Sequence, residues 1–175
     1  MSKNYGKAFV FGDNITTDAL APGAYMKVPL AELAAHCLES IDADFARDVK
    51  RGDVVVGGEN FGMGSSREQA VMALRELGIG FVVAKSFAGL FFRNCINLGL
   101  APLVCAAVAK IAAGDEICCD AVAGTIENKT KNERYACEAI PPHLLAMLND
   151  GGLLPHLMKR RSPTAALPPP CRQIK

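Results

Sequence analysis

Apolar residues along this chain form short uninterrupted runs that alternate with segments of helical spacing, a pattern typical of buried strands joined by helices. The runs that predict strands lie at residues 7–11, 54–56, 79–84 and 101–105. Helical spacing follows Pro29, follows Arg67 as far as Gly78, and covers residues 86–97, with Ser86 as the expected cap. Strands that alternate with helices favour right-handed crossovers, so the pattern predicts an α/β fold with a mostly parallel central sheet.

The pattern changes after Gly114. Three short runs separated by turn residues predict an antiparallel β meander added to the sheet. They lie at residues 116–121, 124–127 and 134–139. Two prolines then precede a last predicted helix over residues 143–149. We expect one domain over residues 1–158 and a flexible tail over 159–175, because the tail contains four prolines and a cluster of basic residues.

The glycine-containing stretch at residues 57–70 is the first candidate for a functional site. It follows a predicted strand and opens a predicted helix. Within it, Ser65 and Glu68 have the spacing of a capping box, which predicts that Ser65 caps this helix. Backbone N–H groups, the positive end of the helix dipole and the Arg67 guanidinium would then face a carboxylate or a phosphate. A purely structural turn is the alternative, because serine caps and glycine turns open many helices.

Two nucleotide-binding loops are excluded for this segment. A P-loop requires a lysine after its second glycine, and the dinucleotide fingerprint requires a third glycine where Arg67 stands. Two hydroxyl groups beside an arginine therefore favour a small carboxylated substrate. A second loop, at residues 15–23, carries Thr17 and Asp18. From that stretch alone, a turn capped by side chains is the simpler interpretation.

Composition and charge exclude several classes of function. The chain has 175 residues, of which 50% are hydrophobic and 6% aromatic, and its formal net charge of +1 gives no electrostatic basis for binding nucleic acid or an anionic membrane. It contains no apolar run of about 18 residues and no apolar signal segment, so we expect a cytoplasmic protein. Its seven cysteines are scattered without a Cys-x-x-Cys pair, which predicts reduced thiols and no metal site on this chain.

Three sequence blocks, at residues 12–18, 58–68 and 84–94, together resemble the small subunits of aconitase-type hydro-lyases, most of all those of the 3-isopropylmalate dehydratases. The likeness covers residues 5–158 and keeps the family's order of blocks. It implies a swivelling β/β/α domain. It also implies a partner, a large catalytic subunit that carries a [4Fe–4S] cluster, with no cofactor on this chain.

The family reaction moves a hydroxyl group between neighbouring carbons of a malate-type acid, which requires a base beside a carboxylate and a Lewis acid for the hydroxide. The resemblance assigns the base to Ser65, acting as an alkoxide. It assigns binding of the substrate carboxylate to Ser66 and Arg67. Thr17 and Asp18 are implied to face the same cavity and to bind substrate there.

The sequence departs from the family's pattern in three places. Met63 and Gln69 replace a common cysteine and a common histidine, changes that we interpret as packing differences. The third departure lies in the specificity loop at residues 25–28, which reads Tyr-Met-Lys-Val instead of Tyr-Leu-Arg-Thr. Because Lys27 and Val28 are expected to contact substrate, three substrates stay open: 3-isopropylmalate, homoaconitate and 2,3-dimethylmalate. A non-catalytic anion-binding or regulatory module on the same fold is the alternative from another class.

Overall fold

A mixed seven-stranded sheet forms the centre of the protein in a computed structural model that describes residues 4–161. The strands are β1 (Gly6–Val10), β2 (Val54–Gly57), β3 (Phe81–Ala84), β4 (Ala101–Val104), β5 (Glu116–Asp120), β6 (Thr125–Asn128) and β7 (Glu133–Ala136). Their order in the sheet is β4-β3-β2-β1-β5-β6-β7. β1 to β4 pair in parallel, and β5 to β7 form an antiparallel meander attached to β1. The predicted strands and meander are therefore confirmed.

Seven α-helices connect or cover these strands within residues 4–161. They are α1 (Thr17–Leu20), α2 (Leu30–Ala35), α3 (Phe45–Asp48), α4 (Glu68–Glu76), α5 (Gly89–Leu98), α6 (Pro142–Asn149) and α7 (Leu153–Arg161). α4 and α5 are the crossovers between parallel strands. They pack against each other, and α4 also packs against α1 and α2. None of the helices in this part of the chain combines the length and apolar character needed to cross a membrane.

The two faces of the sheet bury two separate hydrophobic cores, because successive strand residues point to opposite sides. Val55 belongs to the core beneath α1, α2, α4 and α5, together with Phe91. Val54 and Val56 belong to the second core, between the sheet and α6. Each fully buried side chain of this size contributes roughly 1.5–3 kcal/mol.

The sheet curls until its two ends meet. The chain leaving β7 runs back to β4, where the Glu138 amide donates a hydrogen bond of 2.8 Å to the Val104 carbonyl. Beside this seam, the Cys105 thiol lies 3.5 Å from the Ala136 carbonyl oxygen. The second core is therefore enclosed by strands as well as by α6.

Both predicted serine caps are wrong. α4 begins at Glu68, and its N-cap residue is Arg67, which makes no side-chain capping bond. The backbone at Arg67 is still extended, with φ −94° and ψ 107°, because the glycine loop before it is paired with another loop. α5 begins at Gly89, and the Ser86 hydroxyl instead accepts a hydrogen bond from the Asn60 amide at 2.8 Å.

α7 was not predicted as a helix. Its proline, Pro155, lies in the first turn, where backbone N–H groups have no partner within the helix, so the missing N–H of proline costs no hydrogen bond. Lys159 and Arg160 lie in its last turn, where positive charge complements the helix dipole. The tail predicted for residues 159–175 therefore begins inside a helix, and residues 162–175 lie outside the described part of the chain.

Candidate active site

Two of the motif blocks are joined backbone to backbone. Thr16 and Met63 form a parallel β-bridge, and the Thr17 amide donates to the Met63 carbonyl at 2.8 Å. The Gly62 amide donates to the Ile15 carbonyl at 2.7 Å. The loop after β1 and the loop after β2 therefore form one rigid unit.

The third block joins the same unit. Phe61 and Phe87 form a second parallel bridge, and the Phe61 amide donates to the Ser86 carbonyl at 3.0 Å. The Ala88 amide returns a bond of 2.9 Å to the Phe61 carbonyl. All three blocks thus meet at the carboxyl ends of parallel strands, the edge where open α/β sheets bind ligands.

Two glycines allow the loop after β2, called the central loop below, to lie this close to its neighbours. Gly62 has φ +79°, and a Cβ there would come within 2.1 Å of the Phe91 ring. Gly64 has φ +111°, and a Cβ there would lie 3.1 Å from the Thr17 hydroxyl oxygen. Thr17 is buried, at 2% exposure, so the structure places its hydroxyl beneath the loop that leads to Ser65.

The Ser65 hydroxyl is exposed, and no group within residues 4–161 forms a hydrogen bond with it. Its carbonyl accepts a bond of 2.8 Å from the Arg67 amide, which turns the chain sharply before α4. Because Ser65 does not cap the helix, its hydroxyl oxygen is free for chemistry. Ser66 is also exposed, and its hydroxyl oxygen accepts a hydrogen bond of 3.4 Å from Asn94 Nδ2.

Arg67 reaches the neighbouring loop and forms an ion pair with Asp18. Its Nη1 donates to Asp18 Oδ1 and also to the Ala21 carbonyl, at 2.9 Å for the latter. The hydrogen bond from Arg67 and its positive charge lower the pKa of the Asp18 carboxyl. Within the described residues, Nε and Nη2 have no partner, so the edge of the guanidinium that suits a carboxylate is open.

The segment that leads into the loop at residues 25–28 lies next to this pair. A backbone hydrogen bond from Gly23 also lowers the pKa of Asp18. Further along the loop, the Tyr25 ring stacks on His36 with centroids 3.6 Å apart. Lys27 is exposed, and Val28 is half-buried against the core. The structure therefore connects Gly23, two residues before the loop, to Asp18, and Lys27 and Val28 follow four and five residues after Gly23.

Asn94 is a residue of the site that the sequence motifs did not single out. It lies on α5 among buried apolar residues and is itself only 7% exposed. Its spacing from Phe91 puts this amide on the apolar face of α5, a sequence signal for a buried polar group, and such a group needs a polar partner. Here that partner is the Ser66 hydroxyl.

The site is an open surface, not an enclosed pocket. A cavity of about 690 Å³ lies elsewhere, between the meander and α6, and no residue of the three blocks lines it. Within residues 4–161, no group of three or more His, Cys, Asp or Glu side chains is arranged to hold a metal ion. A small substrate on this surface would stay exposed to water unless a second surface covered it.

Comparison with known proteins agrees with this geometry. The family described as the aconitase C-terminal domain matches residues 17–108, which include Asp18, Ser65 and Arg67. The 3-isopropylmalate dehydratase small subunit of Clostridium beijerinckii is 45% identical over 157 residues, 89% of this chain and 98% of that protein. The methanogen homoaconitase small subunit of Methanothermobacter thermautotrophicus is 43% identical over 157 residues, 88% of this chain and 90% of that protein.

A solved structure extends the likeness to the fold. The crystal structure of 3-isopropylmalate dehydratase (LeuD) from Methanocaldococcus jannaschii superposes with a TM-score of 0.86 at 45% identity, covering 90% of this chain and 94% of that one. The predicted fold and family are both confirmed. The chain belongs to the aconitase family, in the branch formed by the small subunits of 3-isopropylmalate dehydratase and its relatives.

Proposed function

We propose that this chain is the small subunit of a 3-isopropylmalate dehydratase, which interconverts 2- and 3-isopropylmalate in leucine biosynthesis. The observation that carries the proposal is the juxtaposition of a free Ser65 hydroxyl with the Arg67–Asp18 pair. Proton abstraction next to a carboxylate needs a base and a cationic clamp close together, and Ser65 and Arg67, two residues apart in the loop before α4, would supply them.

Each residue takes a role that follows from its surroundings. Ser65 removes and returns the proton on the carbon beside a carboxylate. The positive end of α4 and the Arg67 charge both favour its alkoxide. Arg67 binds the carboxylate through its open Nε–Nη2 edge, and the Ser66 hydroxyl donates to the same group. Thr17, beneath the loop, supports the geometry of this turn.

We place the second half of the site on a large subunit that covers this open surface. A Lewis acid for the departing hydroxyl would come from a [4Fe–4S] cluster on that subunit. Clusters of this kind are held by cysteine thiolates, which the described part of this chain does not group as ligands. We expect the assembled enzyme in the cytoplasm, with no nucleic-acid or membrane partner.

Homoaconitase is the second candidate, and two observations favour keeping it. A homoaconitase small subunit is 43% identical to this chain, and the loop at residues 25–28 departs from the usual isopropylmalate sequence. A non-catalytic module is the weaker alternative, because such a module would be expected to lose some of the residues Ser65, Arg67, Thr17 and Asp18, and all four are present.

The test is an assay of the assembled enzyme. This chain would be purified with the large subunit of its own organism, the complex reconstituted anaerobically, and turnover measured with 2-isopropylmalate, homoaconitate and 2,3-dimethylmalate. We expect the highest kcat/KM with 2-isopropylmalate and none with Ser65→Ala. A higher kcat/KM with homoaconitate would reassign the substrate. A cluster-loaded complex without turnover of any of the three would overturn the hydro-lyase proposal.

A further inference from the structure

Helix α5 is the platform on which the central loop rests. Phe91, on its first turns, is in direct contact with the loop at Gly62, where there is no space for a side chain. The Phe61 ring packs against Phe91 with centroids 5.5 Å apart. These contacts hold the beginning of the loop by apolar packing.

Asn94 lies one turn further along the same face of α5, since residues three apart on a helix are neighbours. Its amide is the polar part of the platform and lies under the end of the loop, where Nδ2 donates to the Ser66 hydroxyl oxygen at 3.4 Å. A bond of this length is weak in the free chain, and such bonds in catalytic sites often shorten when substrate binds.

The direction of this hydrogen bond has a chemical consequence. Because Asn94 donates, the Ser66 oxygen is the acceptor, and the Ser66 hydrogen stays available to donate outward. An anionic substrate needs donors, so this polarity suits a carboxylate above the loop. An acceptor at position 94 would turn the Ser66 hydrogen inward and leave a lone pair facing the substrate.

The geometry points to Asn94 as a positioning residue that orients the Ser66 hydroxyl as a donor towards the substrate carboxylate. Asn94 acts through Ser66 and need not touch the substrate itself. The substrate named in this inference rests on the proposed function. The coupling between Asn94 and Ser66 does not depend on the substrate.

A purely structural role for Asn94 makes different predictions. If the amide only filled space, Asn94→Asp would be mild, because the two side chains have nearly the same shape. If Asn94 orients Ser66, Asn94→Asp reverses the hydrogen bond and should be worse for substrate binding than Asn94→Ala. Burial raises the pKa of such an aspartate, and once protonated it can donate again.

The experiment uses the assembled enzyme with Asn94→Ala, Asn94→Asp, Ser66→Ala and the double variant Asn94→Ala/Ser66→Ala. Asn97→Ala, one turn along α5, is the matched control. We expect KM to rise about tenfold in Asn94→Asp, the effect of one hydrogen bond, and less in Asn94→Ala. The KM ratio of Asn94→Asp to the unchanged enzyme should fall as pH is lowered, while the ratio for Asn94→Ala should stay constant.

The double variant tests whether Asn94 acts through Ser66. In the Ser66→Ala background, Asn94→Ala should raise KM no further. Equal effects in both backgrounds, or a constant KM ratio for Asn94→Asp across pH, would overturn the inference. Thermal unfolding of the isolated chain, carrying the same four variants, measures the coupling between Asn94 and Ser66 without an activity assay. If the unchanged enzyme is inactive, the proposed function fails, while non-additive unfolding would still support the contact on which the inference depends.

Discussion

Arg67 and Asp18, 49 residues apart in sequence, meet through a single guanidinium nitrogen, Nη1, which also donates to the Ala21 carbonyl. The Asp18 side chain is 67% exposed and the Arg67 side chain is 26% exposed, so solvent reaches the pair mainly from the Asp18 side. Exposed ion pairs add little to stability. The Arg67–Asp18 pair therefore acts mainly by orienting the guanidinium, because it fixes Nη1 and leaves the Nε–Nη2 edge for a ligand.

Arg67→Lys should be far from conservative, because an ammonium cannot bind Asp18, the Ala21 carbonyl and a bidentate carboxylate in the same geometry. We expect a loss of roughly 1.5–3 kcal/mol in transition-state binding, the usual value of a charge-assisted hydrogen bond. The measurement is kcat/KM of the assembled enzyme. Arg75→Lys, an exposed change on the same helix, is the control. A change of less than a few-fold for Arg67→Lys would remove it from the substrate site.

Ser65→Ala should lower kcat by about 10²–10⁴-fold, the usual contribution of a general base, with little change in KM. Because the Ser65 hydroxyl makes no hydrogen bond within residues 4–161, the thermal stability of the chain should not change. Thr16→Ala is the contrasting variant, since the Thr16 hydroxyl accepts from the Ala19 amide at 3.0 Å and caps α1. That variant should lose about 1 kcal/mol of stability. Near-normal kcat in a folded, assembled Ser65→Ala enzyme would refute the role of Ser65.

Changing Lys27→Arg together with Val28→Thr should alter the order of preference among malates. The physical reason is that the segment leading into this loop bonds to the Asp18 carboxylate through the Gly23 backbone, four and five residues before Lys27 and Val28. One methylene of pocket contact changes kcat/KM by about 10–200-fold, which sets the expected scale. Lys50→Arg, exposed before β2, is the control. An unchanged order in the double variant would mean that this loop does not contact the substrate.

Asp115 should contribute stability that depends on pH. It is 5% exposed and accepts hydrogen bonds from the Ala112 amide at 2.9 Å and from Asn128 Nδ2 at 2.7 Å, with Lys131 Nζ at 3.2 Å. Burial alone raises the pKa of this carboxyl, but these donors outweigh it and the pKa lies below the ordinary value of 3.8. Its stabilisation is therefore complete above that ordinary value and is lost as pH falls through the lower folded pKa.

The measurement is the Tm of the isolated chain across this acid range. Asp115→Asn should have a lower Tm near neutral pH and a smaller decrease in Tm on acidification than the unchanged chain. Asp48→Asn, exposed on α3, should have the unchanged chain's pH dependence. Parallel Tm curves for Asp115→Asn and the unchanged chain would contradict the assignment.

The chain purified alone should contain iron and acid-labile sulfide near zero after anaerobic reconstitution. The reason is that its cysteines lack the grouping that Fe–S ligation requires, both in sequence and within the described residues. The complex with the large subunit, treated in the same way, is the positive control. A stoichiometric cluster on the isolated chain would contradict the placement of the cofactor on the partner.

The strands and the meeting of the three blocks were predictable because their causes are local. Val54–Val56 is a continuous apolar run and is buried on both faces, as such a run requires in a covered parallel sheet. Loops that follow neighbouring parallel strands must emerge at the same edge. The family resemblance then identified which hydroxyls and which arginine lie there.

The helix starts and Asn94 could not be placed in the same way, because their causes are contacts across the chain. Ser65 has the local signature of a cap, but the loop before it is paired with Thr17 through Met63, and the chain turns between Ser65 and Arg67, so the helix begins only at Glu68. The Ser86 hydroxyl accepts a hydrogen bond from the amide of Asn60, 26 residues earlier, and does not cap α5. The Asn94 amide faces Ser66 only because α5 packs under the glycine loop. Local propensity decides an element's type more reliably than its ends.

The bond between the Glu138 amide and the Val104 carbonyl also affects which strand edges of the chain are exposed. In an open sheet, β4 and β7 would be edge strands with unpaired N–H and C=O groups, which invite pairing with other chains and aggregation. The segment that follows β7 closes on the end of β4 within the same molecule, through this bond and the contact of Cys105 with the Ala136 carbonyl. The chain therefore exposes fewer unpaired groups at this end of β4 and β7 than an open seven-stranded sheet would, which lowers its tendency to pair with other chains.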